Sequence, residues 1–93
     1  MLDRLLARIR RLVLERQYVV TLHADEELDA DDIIVCDLER IVFTGAIVER
    51  QIDRITGERK YRIRGQTMGG TDAETIVKIT ITGKVVFLTA YKL

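Results

Sequence analysis

The stretch Ile41-Val-Phe-Thr-Gly45-Ala-Ile-Val-Glu49 divides this chain of 93 residues into a helical half and a β half. Before Gly45 the apolar residues recur at helical spacing, and after it they follow strand patterns. Glycine stops a helix readily, so Gly45 marks the change. Upstream of it, Asp32–Phe43 reads as a helix with Asp31 as N-cap and Ile34, Leu38, Ile41 and Val42 as its buried stripe. Cys36 falls in the same apolar stretch, beside acidic neighbours that disfavour a thiolate, and reads as core.

Working outward, residues 2–16 form a second amphipathic pattern. Leu2, Leu5, Leu6, Ile9, Leu12 and Val13 lie on one stripe, and Arg4, Arg8, Arg11 and Arg16 lie largely off it. Tyr18–Leu22 reads as a strand. A short helix at Ala24–Leu28 follows, with Thr21 or His23 able to cap it and Asp25 and Glu26 at the positive end of its dipole. Downstream of Gly45, Ala46–Asp53 and Arg59–Gly65 read as antiparallel strands joined by the turn Thr56-Gly57-Glu58. Gln66–Ala73 reads as a loop and Glu74–Thr82 as a strand, with Val77, Ile79 and Ile81 on one side. Val85–Lys92 closes the chain and is apolar on both faces, which predicts an interior position in the sheet. The expected fold is α+β: an antiparallel sheet of four to five strands with N-terminal helices packed on one face. It is expected as a single domain over 1–93, an N-terminal helix over 1–16 joined to a core over 17–92.

Composition narrows the function classes. The apolar fraction is 47% and the aromatic fraction 5%, so the core must be built mostly of Ile, Val and Leu. Proline is absent, and no linker or internal repeat appears. No apolar run approaches the roughly 18–20 residues needed to span a membrane, and no secretory leader is visible. A single cysteine forms no internal disulfide, so the chain reads as cytoplasmic. Net charge is zero but segregated. Residues 1–20 carry five Arg against Asp3 and Glu15, and residues 21–45 carry eight carboxylates against Arg40. Residues 46–93 carry nine Lys and Arg against five acids. That balance argues against strong non-specific nucleic-acid binding and leaves room for a local basic site.

His23 is the only histidine. It falls where strand pattern gives way to helix pattern, and an imidazole there can take or give a proton near neutral pH. The competing reading is a helix cap or a hydrogen-bonded structural residue. In Arg59–Gly65, Tyr61 and Ile63 alternate with Lys60, Arg62 and Arg64, which puts the three cations on one sheet face. They either meet phosphates or pair across to Glu49 or Asp53. No cofactor is expected. Gly69-Gly70 lacks the lysine and following helix of a phosphate loop, and one His with one distant Cys makes no metal set.

Thr21-Leu-His-Ala24, Ile33, Gly45-Ala-Ile-Val-Glu49 and Thr89-Ala-Tyr91 together resemble a small bacterial family. It has about ninety residues, opens on Thr/Ser-x-His-Ala and closes on Thr-x-Tyr. The resemblance covers residues 17–92. That family is grouped with the RelE-like toxin superfamily, several members of which cut messenger RNA and are held by a small antitoxin protein. Many of its members carry a basic residue after the acidic position that follows His-Ala; this chain has Glu27 there.

The resemblance implies an RNA-binding or RNA-cleaving, toxin-like protein acting by metal-independent acid–base chemistry. His23 would be acid or base, Glu26 its orienting or partner carboxylate, and Tyr91 a stacking or hydrogen-bonding group. Arg62, Arg64 and Lys78 would contact phosphate, since a guanidinium fork fits two phosphate oxygens. RNA, an antitoxin and a second copy are the partners this reading allows. The alternative is a non-catalytic module that dimerises or binds a protein partner through the apolar N-terminal helix or an exposed sheet edge.

Overall fold

The computed structural model describes residues 2–93. The elements are α1 (Leu2–Leu14), β1 (Tyr18–Val20), α2 (Leu22–Ala30), α3 (Val35–Thr44), β2 (Ala46–Ile52), β3 (Arg59–Gln66), β4 (Asp72–Ile79) and β5 (Val85–Lys92). The fold is α+β, with its helices N-terminal and a mostly antiparallel sheet of order β1-β5-β4-β3-β2. β5 is indeed interior. β1 alone joins in parallel, with Val19 opposite Val86.

One sheet face and the helices make the core. Ile9, Leu12 and Val13 of α1 and Leu38, Ile41 and Val42 of α3 pack on Tyr61, Ile63, Val77, Phe87 and Ala90. The rings of Tyr18 and Phe87 meet edge to face at 5.4 Å. Arg10 ties α1 to the end of α3, donating to the carbonyls of Val42 at 3.0 Å and Gly45 at 2.9 Å. A cation is favourable there, at the negative end of a helix dipole.

Two helix ends differ from expectation for one physical reason. α1 stops at Leu14 because Arg16 adopts φ 62°, and Gln17 N–H then reaches the Leu12 carbonyl at 2.8 Å. α2 runs to Ala30 and ends the same way: Asp32 has φ 56° and Ile33 N–H bonds the Leu28 carbonyl at 2.8 Å. Asp31 and Asp32 therefore close α2 instead of opening α3. This left-handed turn satisfies carbonyls that a helix end leaves orphaned, and aspartate tolerates it. α3 starts at Val35, and the Asp37 carboxylate accepts from Ile34 N–H at 3.0 Å.

Two burial expectations are corrected by these shifts. Ile34 is exposed at the mouth of α3, and Ile33 takes its place in the core. Cys36 is exposed on the first turn of α3. The fourth strand is also shorter than expected at its end: β4 stops at Ile79, so Ile81 lies in the β4–β5 turn and is fully exposed. Gly45 ends α3 in extended backbone, and its glycine is required by close approach. A Cβ there would sit 2.5 Å from the carbonyl oxygens of both Arg64 and Ile41.

Candidate functional site

Alternation along β3 sends Tyr61 and Ile63 into the core and turns Arg62 and Arg64 to the opposite face. On β4 the residue directly opposite Arg64 is Glu74, and opposite Glu74 on β5 is Tyr91. Residues in register share a face, so these four side chains meet on the side of the sheet away from α1 and α3. Glu74 is 2% exposed. Its Oε2 accepts from Arg62 Nη1 at 2.9 Å and Arg64 Nε at 2.7 Å, and its Oε1 accepts from Tyr91 O–H at 2.6 Å. Arg62 Nε also donates to Glu49 at 3.1 Å.

The carboxylate is the centre of this cluster. Burial alone would push the Glu74 carboxyl up, but the hydrogen bonds from Tyr91, Arg64 and Arg62 outweigh it and hold the carboxyl below its ordinary value. The same bond, together with burial, raises the Tyr91 phenol. Bonds to Glu49 and Glu74 raise Arg62. Arg64 is used differently. It binds Glu74 through Nε alone, so its two η nitrogens make no protein hydrogen bond among the described residues, and its side chain is 53% exposed. A guanidinium held at one edge presents its other edge as a ready fork for an anion.

The second group of expected residues lies at the start of α2. Thr21 is the N-cap: its Oγ1 accepts from Ala24 N–H at 3.1 Å and donates to the Leu88 carbonyl at 3.4 Å. His23 is on the first turn with its side chain 71% exposed, and its Nε2 lies 3.3 Å from Glu27 Oε1. Glu26, the expected orienting carboxylate, is exposed and makes no hydrogen bond among the described residues; Glu27 stands in that position instead. The helical step of four residues brings 23 and 27 onto one face. Glu27 also accepts from the hydroxyl of Thr89 and from Ala90 N–H.

Thr89 and Tyr91 link the two groups. They occupy alternate positions of β5, pair with Ile76 and Glu74, and so share the helix-free face about 7 Å apart along the strand. His23, Glu27 and Thr89 thus run toward the Tyr91–Glu74–Arg62–Arg64 cluster across one strand. Lys78 does not join it. It bonds Glu58 at 2.9 Å near the β2–β3 turn, at the other end of the sheet.

Glu74 was not among the residues singled out from sequence, although it organises the cluster. Its signal was the register of β4 with both neighbours, which sets Glu74 opposite Arg64 of β3 and Tyr91 of β5. The cluster can hold an anion on Arg64 and offer the Tyr91 ring as a flat surface. The His23–Glu27 pair can exchange a proton with a group bound beside it. No helix among the described residues is long and apolar enough to cross a membrane. No protein-family model, curated protein or solved structure matches the chain.

Proposed function

We propose that this chain is a toxin-like protein of the RelE-like superfamily. It binds single-stranded RNA on the helix-free face of its sheet and cleaves it by acid–base chemistry, with His23 as general acid or base. The observation that carries the reading is the approach of residues from both ends of the chain. Thr21 and Glu27 bond the β5 segment that ends in Thr89 and Tyr91, His23 reaches it only through Glu27, and Tyr91 shares Glu74 with Arg62 and Arg64.

RNA cleavage by its own 2′-hydroxyl needs a base for that proton, an acid for the departing 5′-oxygen and cations for the phosphorane. His23 fills one proton-transfer role, with Glu27 orienting the imidazole. Arg64 offers its free fork to the phosphate, and Arg62 adds charge behind it. Tyr91 has its proton committed to Glu74, so its part is to stack a base through the ring. The protein acts in the cytoplasm, where its RNA substrate and a reducing environment for Cys36 are found. Lys78 drops out of the substrate-binding set.

The second reading, a non-catalytic interaction module, is favoured by Glu27, whose carboxylate is engaged with the edge of β5. Labelled single-stranded RNA incubated in EDTA with wild type and His23→Ala separates the two. The expected result is a fall in cleavage of about 100- to 10,000-fold for His23→Ala, with melting unchanged. Arg64→Ala should flatten the salt dependence of RNA binding by roughly 0.7 in log–log slope, the value of one single-strand phosphate contact. Equal cleavage by wild type and His23→Ala would expose a contaminant. No cleavage by folded wild type would give the chain to the interaction reading.

A further inference from the structure

A groove of about 790 Å³ lies at the other end of the sheet, between the N-terminal half of α1 and the ends of two hairpins. Leu5, Tyr61 and Ile79 form its apolar floor, and Ile81, Arg8 and Arg59 stand on its rim. Two observations set it apart from ordinary surface. First, Ile81 on the rim is fully exposed, although it lines an apolar floor. A single exposed isoleucine is common, but one that continues an apolar floor extends that floor to the surface. Second, the charge there is one-sided. Glu58 is taken by Lys78 at 2.9 Å, while Arg8 and Arg59 pair with no carboxylate among the described residues. Arg4 stands one helical turn from Arg8 on the same face of α1.

We propose that this groove docks an acidic amphipathic segment of a partner protein. Its apolar side chains would lie on Leu5, Tyr61 and Ile79 against Ile81, and its carboxylates would meet Arg8 and Arg59. Charge complementarity selects this occupant. A second copy meeting the groove through the same surface would set Arg8 and Arg59 against their own kind, which opposes association. A nucleic acid would find cations but an aliphatic floor, since Tyr61 is only 7% exposed and presents no ring for stacking. A helix-in-groove mode needs what is present: an apolar trough with a charged rim. The proposal stands independently of the RNA reading, because it uses none of the same side chains.

The test uses the full chain and two labelled synthetic helical peptides. One has Leu on one stripe and Glu elsewhere; the other has Lys in place of Glu. Fluorescence anisotropy should show saturable binding of the Glu peptide only. Arg8→Glu with Arg59→Glu, and separately Ile81→Ser, should each weaken it by about tenfold. All three side chains are exposed, so melting should not change, and backbone amide shifts should map to residues 5–8, 57–61 and 78–82. Equal binding of the Lys peptide, unaffected variants, shifts elsewhere or no saturable binding would overturn the proposal. So would self-association of the free protein that Ile81→Ser abolishes, which would assign the groove to a second copy.

Discussion

Glu74 shows how a single carboxylate fixes a site. It is buried, yet it is charged, because three donors on two neighbouring strands satisfy it. Removing one partner of such a group leaves the others without their acceptor. Arg62 and Arg64 are partly solvated and soften the loss, so Glu74→Gln should cost about 1–3 kcal/mol at neutral pH. The acid side supplies the sign. Because the folded carboxyl lies below its ordinary value of 4.5, its stabilisation is fully present above that value and is lost as pH falls through the lower folded pKa. The melting gap between wild type and Glu74→Gln should therefore narrow on acidification; a gap that widens in acid would contradict the assignment. At this scale the shared face of Arg62 and Arg64 was legible, because alternation along β3 marks it. Glu74 was not, since nothing local distinguishes a buried acid from an exposed one. Its burial depends on register across two strands.

At the scale of elements, α2 takes over where β1 stops. β1 covers β5 only as far as Phe87, and beyond it the β5 edge would be open. Open edges invite pairing with other chains. α2 closes this one with side chains: Glu27 accepts from Ala90 N–H at 3.3 Å and Asp31 from Lys92 N–H at 2.8 Å. Glu27→Ala should then speed amide hydrogen exchange at Ala90, and Asp31→Ala at Lys92, while the amides of β3 keep their protection. Unchanged exchange at both positions would remove the capping role. The ends of α1 and α2 were misjudged from sequence for a related reason. Arg16 and Asp32 enter left-handed backbone without glycine to announce it. Arginine there carries a steric cost of about 1–2 kcal/mol, against a chain-entropy cost of about 0.5–1 for glycine. Arg16→Gly should stabilise by roughly 0.5–1 kcal/mol, read as a rise in melting temperature.

At the scale of the molecule, the sheet separates two jobs. One face is consumed by α1 and α3 to make the core, and the other carries the Arg62, Arg64, Glu74 and Tyr91 cluster. The change from helical to alternating pattern at Gly45 made that division legible, because periodicity survives folding. The parallel pairing of β1 with β5 was not legible, since a three-residue strand carries too little pattern to choose a neighbour. α1 tests how far the division holds. Its stripe meets the sheet within the same chain: Ile9 is 0% exposed, whereas Leu14 at the helix end is 71% exposed. Truncating a fully buried isoleucine removes its transfer energy and leaves a cavity, together about 2–5 kcal/mol. A domain of this size has a total stability of roughly 5–14 kcal/mol, and each kcal/mol moves its melting point by about 4–8 °C. Ile9→Ala should lower the melting temperature by at least about 8 °C, and Leu14→Ala should leave it within a few degrees. Equal, small shifts for both would mean that α1 is not docked on the sheet in solution, and the covered face of the sheet would then need another partner.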